Sequence, residues 1–200
     1  NNPWKAFVDG DENAISADAK AGAELFFTAA NQGGAGCVAC HSGDSFSDEQ
    51  FHVIGFPQSG PGKGDGATGD EDFGRGRETA NTNDRYRFRT PTLLNVEMTA
   101  PYTHAGSFDS LEEVVRHYIN PQASADNYFN SSAWCNLLQF SSVANCTNLF
   151  SNAQANTQNA LNKLNQDRQA GTSRLPNIRL NNTQVAQVVE FLKALTDPCT

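Results

Sequence analysis

Apolar residues recur at helical spacing in three stretches of the chain, and no stretch of comparable quality alternates as a β-strand does. In "SLEEVVRHYI" (110–119), Leu111, Val114, Val115 and Tyr118 fall at i, i+3, i+4 and i+7, one face of a helix. Ser110 and Glu113 form the capping box that starts it. Tyr118 therefore points inward with the valines, whereas His117, roughly 100° around the helix, reads as solvent-facing. "LNNTQVAQVVEFLKALTDP" (180–198) predicts a second helix, capped by Asn181 and Gln184, stopped by Pro198, with Val185, Val188, Val189, Leu192 and Leu195 as its buried stripe. Ala-rich "ADAKAGAELFFTAA" (17–30) predicts a third, carrying Leu25 and Phe26 near its end.

Between these helices the pattern fades. Residues 1–16 read as an extended lead-in, and 42–90 as a long Gly-rich loop of the kind that is usually functional. Residues 120–178 are rich in Asn, Gln and Ser and read as an insertion, with a helix near 153–168. The expected fold class is all-α with long loops: a lead-in, then one domain over 17–200 interrupted by that insertion.

Composition narrows the function classes. With 200 residues and 38% hydrophobic content the chain can form a real core. A net charge of −8 and the absence of a basic patch argue against nucleic acid, and remain compatible with a basic redox partner. No apolar run approaches membrane-spanning length. The opening "NNPWKAFVDGDENAIS" has no charged n-region or apolar h-region, so it reads as cytosolic or as a mature, processed chain. Four acids crowd "GDGATGDEDFG" (64–74). A solvated loop is the expected reading there, with calcium binding as the alternative, since EF-hand spacing is missing.

The chemistry is concentrated in "GAGCVACHSG". Cys37, Cys40 and His41 form C-x-x-C-H, the attachment sequence for c-type haem. Each thiol adds across a haem vinyl group, and the adjacent His41 becomes the proximal iron ligand. No βαβ frame supports a thioredoxin-type reading, and zinc lacks a second ligand pair. Covalent haem implies a periplasmic protein, where a disulfide also persists. Cys135 and Cys146 flank a span short enough to staple, with two buried thiols as the alternative. Cys199 is left as a lone thiol or half of a bridge to another chain. For the second axial ligand the residues leave Met98, His52, His104, His117, Tyr118 or none, and spacing alone favours Met98.

"FRTPTLLNVEMTAPYTHAGSFDSLEEVVRHY" (88–118) resembles the second haem domain of bacterial di-haem cytochrome c peroxidases and MauG-type enzymes, whose pattern reads approximately F-[RK]-x-P-x-L-R-N-V-x-x-T-A-P-Y-x-H-x-G before a helix. The resemblance extends to "DENAISADAKAGAELF", "FHVIGFP", Gly74-Arg75 and "FLKALTDP". It implies that the second iron ligand is Tyr118, where the peroxidases have methionine and MauG-type proteins tyrosine, and that Met98 is an ordinary loop residue. It further implies that His104 faces the region of the other haem. Thr99 and Pro101 would offer backbone carbonyls to a calcium ion, and His52 and Arg75 would contact haem propionates. Leu94 replaces the family's usual arginine. Only one C-x-x-C-H is present where the family has two, so the resemblance implies a second haem on another chain or domain, reacting with hydrogen peroxide and exchanging electrons with a redox protein or small cytochrome. The alternative is a mono-haem electron-transfer cytochrome.

Overall fold

The computed structural model describes residues 2–198, so Cys199 lies outside the described residues. The helices are α1 (Pro3–Val8), α2 (Ala17–Phe27), α3 (Arg75–Thr79), α4 (Leu111–Ile119), α5 (Pro121–Asn130), α6 (Ala153–Gln169) and α7 (Asn182–Lys193). They divide between two compact units: residues 1–50, 90–100 and 176–200, and residues 51–89 with 101–175.

In the first unit α2 packs on α7. The expected capping box forms at α7, with the Gln184 amide donating to Asn181 Oδ1 at 3.0 Å and the Asn181 amide donating to Gln184 Oε1 at 3.0 Å. Val185, Val188, Phe191, Leu192 and Leu195 are buried. Gly22 makes the approach of α2 to α7 feasible, because a Cβ there would lie 1.9 Å from the Gln187 carbonyl oxygen. Residues 3–8 depart from the expected extended lead-in. They form α1, whose Trp4 amide donates to the Ala194 carbonyl at 3.0 Å and whose indole meets Phe191 edge-on at 5.0 Å. Asn2 caps this helix and Pro3 opens it, a local start signal that the Asp and Gly after it obscured.

The second unit carries the only strand pairing among the described residues, the two-residue strands β1 (Phe51–His52) and β2 (Phe88–Arg89), antiparallel. Helix α4 begins with the expected box, the Glu113 amide donating to Ser110 Oγ at 3.2 Å and the Ser110 amide to Glu113 Oε2 at 3.1 Å. The 120–178 stretch is ordered around α5, α6 and a hydrophobic cluster of Phe108, Tyr128, Trp134 and Leu137. The expected Cys135–Cys146 disulfide closes beside that cluster, with Cα atoms 5.6 Å apart.

The acidic loop is exposed over 66–69, as its composition leads one to expect, but Glu71 is buried and Asp70 is tied to asparagines of the same unit. Glu71, 6% exposed, accepts from Asn159 Nδ2 at 2.5 Å and from the Tyr86 hydroxyl at 3.2 Å. Asp70 accepts from the Thr68 hydroxyl, from Asn152 at 2.8 Å and from Asn156 at 3.0 Å, and these bonds, that from Thr68 foremost, hold its pKa below the usual carboxylate range. The asparagines of α6, which made the insertion look merely polar, are the donors that seat this loop.

Candidate haem centre

The first unit builds the cysteine motif from neighbours in sequence. Gly36 adopts φ 65°, a left-handed turn that releases the chain into a single 3-10 turn over Cys37–Ala39. The Cys40 and His41 amides both donate back to the Cys37 carbonyl, at 3.1 and 2.8 Å. This closes the two thiols and the imidazole into one rigid loop. His41 is fixed further by Nδ1, which lies 2.9 Å from the Phe46 carbonyl oxygen. That contact selects the tautomer with the proton on Nδ1 and makes Nε2 the nitrogen that would take iron.

Cys37 and Cys40 form no disulfide with each other. Cys37 remains partly accessible, and burial of its sulfur pushes the thiol up to about 12, opposed by a backbone hydrogen bond and reinforced by Cys40. These residues fit covalently attached haem c. Met98, at the end of a 3-10 turn, is 65% exposed in the first unit, and Thr99 follows it with Oγ1 donating to the Val96 carbonyl at 3.0 Å.

The remaining candidates lie in the second unit. Arg75 places its guanidinium 4.4 Å from the centre of the Phe51 ring, beside His52 on β1, and pairs with Asp84 at 3.5 Å. His104 stacks on Phe88 with ring centres 3.7 Å apart, at the rim of a cleft of about 180 Å³ that Gln58, Ser59, Lys63 and Asp72 also line. Surrounding chain lowers the His104 pKa and Asp72 raises it, while the ring's exposed face lets solvent moderate the shift. Pro101 is exposed.

Helix α4 brings one expectation forward and reverses another. Tyr118 is half-buried and meets the Phe56 ring nearly perpendicularly at 5.6 Å. His117 does not face solvent: it is 0% exposed. Its ring stacks on Phe56 at 4.4 Å, and Nε2 lies 3.3 Å from the Ile54 carbonyl oxygen. The other ring nitrogen, Nδ1, is buried with no hydrogen-bond partner. Burial holds the His117 pKa down at about 3. The periodicity of α4 described only the apolar face. His117 sits on its flank, and residues 54–56 cover that flank from far away in sequence. Neither Phe56 nor His117 carried a local signal of this pairing.

Fold and cysteine turn together define a helical haem-attachment domain of cytochrome c type. No family model matches the chain. It is 42% identical over 119 residues to the methylamine utilization protein MauG of Methylorubrum extorquens, covering 58% of this chain and 29% of that protein. Over 136 residues it is 34% identical to the cytochrome-c peroxidase IdrP1 of Pseudomonas sp. strain SCT (58% and 35%), and over 109 residues 35% identical to the cytochrome c551 peroxidase of Nitrosomonas europaea (54% and 29%). The crystal structure of a MauG-like protein associated with microbial copper homeostasis shares the fold, with a TM-score of 0.62 over 98% of this chain and 52% of that one, at 19% identity. The chain is thus a homologue of MauG and of the bacterial cytochrome c peroxidases, and it spans about a third of the length of these curated relatives.

Proposed function

We propose that this chain is the relay-haem domain of an oxidoreductase of the MauG and cytochrome c peroxidase type. The observation that carries the reading is the cysteine turn, in which Cys37 and Cys40 precede an imidazole already oriented through Nδ1 on the Phe46 carbonyl. Cys37 and Cys40 would tether one haem c as thioethers, and His41 Nε2 would bind its iron. When bound, haem c supplies a redox-active iron whose accessible oxidation states follow its axial ligands. Tyr118 would be the second residue to hold the iron, as the MauG-type resemblance implies, with Met98 as the alternative. A phenolate would favour the oxidised iron and a thioether the reduced iron.

In this reading a second haem, held elsewhere in the same protein or on another chain, would be the group open to hydrogen peroxide. This domain passes oxidising equivalents between that haem and a redox partner, either a small cytochrome or a protein substrate. His104, which stacks on Phe88, would face the second haem, as the resemblance implies. His52 and Arg75 would contact propionates, and the resemblance would give the Thr99 and Pro101 carbonyls a part in holding a calcium ion. The work is done in the periplasm, where haem c attachment and the Cys135–Cys146 disulfide are both chemically compatible. Among the described residues no helix is long and apolar enough to cross a membrane.

The test is haem stoichiometry on natively purified protein, by pyridine haemochrome assay with the intact mass of every polypeptide. Two haems per assembly, one of them on Cys37 and Cys40, is the expected result. One haem per assembly would leave an electron-transfer cytochrome instead.

A further inference from the structure

We infer that Phe56 and His117 act together as the device that positions Tyr118. Phe56 is the shared wall. One face of its ring lies against the His117 imidazole, 4.4 Å between centres and 24° between planes, and the same ring meets Tyr118 at 5.6 Å and 87°. Phe108 closes a further side of it at 6.1 Å. His117 and Tyr118 are consecutive on α4, so their side chains leave the helix about 100° apart. A ring wedged into that angle sets the rotation of the helix about its own axis and limits the swing of the phenol.

His117 supplies the second point of attachment. Its Nε2 lies 3.3 Å from the Ile54 carbonyl oxygen, two residues before Phe56, so the 54–56 segment grips α4 by a hydrogen bond and by a ring stack at once. This geometry needs a flat side chain that also donates. Simple space-filling does not explain the choice, because the imidazole leaves Nδ1 buried without a partner, a defect that a leucine or phenylalanine would avoid. The function that survives that defect is orientation. The inference rests on the reading of Tyr118 as an iron ligand and deepens it: the ligand is aimed by two residues of its own unit.

The test compares holoprotein carrying F56L, H117L, H117F and Y118F by electron paramagnetic resonance and by resonance Raman excited in the tyrosinate-to-iron charge-transfer band, with far-UV circular dichroism and haem content as folding controls. In the natural sequence the tyrosinate modes are expected, and Y118F abolishes them. F56L and H117L are expected to lose most of the tyrosinate intensity and broaden the low-spin signal while haem content and helicity hold. H117F, which keeps the flat face and loses the donor, is expected to retain more intensity than H117L. Tyrosinate modes of full intensity and width in correctly folded F56L and H117L would overturn the positioning role while leaving the ligand intact. Absence of those modes in the natural sequence, with Y118F unchanged, would overturn the ligand reading and the positioning inference with it.

Discussion

The cysteine turn and helix α4 present candidate iron ligands in opposite ways. Between Gly36 and Phe46 every contact that matters is made within ten or so residues: the αL glycine, the amides on the Cys37 carbonyl, and His41 on the Phe46 carbonyl. On α4, Tyr118 and His117 are defined by Phe56 and Ile54, more than sixty residues earlier in the chain. A site made of sequence neighbours is legible as a motif. A site whose geometry comes from a distant segment is legible only as a residue type on a helix face.

The sharpest way to break this contrast is to remove the local site outright. C37A/C40A is expected to abolish covalent haem, with the pyridine haemochrome signal of this chain lost after acid extraction and its mass reduced by one haem. Retention of covalent haem would remove the basis for the proposed centre. Next in size is the disulfide, which joins residues 11 apart and is therefore also local. C135S/C146S should lower the unfolding free energy by about 3 kcal/mol on the chain-entropy account, read in urea. Because the bridge closes beside Trp134 and Leu137, the loss should fall on the second unit and spare haem attachment.

The same division explains what the sequence made legible. The boxes at Ser110 and Asn181, the helix over 153–169, the disulfide and the C-x-x-C-H turn all rest on interactions between residues close in sequence, and all could be read directly. The misread parts were long-range. Asp70 and Glu71 looked solvated because their partners Asn152, Asn156 and Asn159 lie some eighty residues on, and His117 looked exposed because the segment that buries it is not on its helix. N159A measures what such a distant partner contributes. It leaves the buried Glu71 carboxylate with the Tyr86 hydroxyl and one donor fewer, and is expected to destabilise by about 1–3 kcal/mol in urea, with no change in haem content. A neutral result would return the loop to the solvated reading.

The smallest effect expected is a dependence on pH that belongs to the distant kind of contact. Tyr128 is 5% exposed and donates to Ser59 Oγ at 2.8 Å, from a position 69 residues away. Burial raises its pKa above the ordinary value of 10.0, and the bonds to Ser59 and Ser107 only partly offset that. The sign follows from proton binding: above pH 10 the unfolded chain gives up the phenolic proton while the folded chain keeps it, so the contribution is whole below that pH and declines as the solution becomes more alkaline. The slope is at most about 1.4 kcal/mol per pH unit for one such group. Urea titrations from pH 8 upward should show this decline, and Y128F should flatten part of it after a loss near neutrality of about 1 kcal/mol for the missing hydrogen bond. Tyr86 is raised too, by burial and by Glu71, so some slope should persist in the variant. If Y128F left the alkaline decline unchanged, the long-range hydroxyl contact would contribute less than its burial implies, and the local contacts would govern stability in the second unit as they govern the cysteine turn in the first.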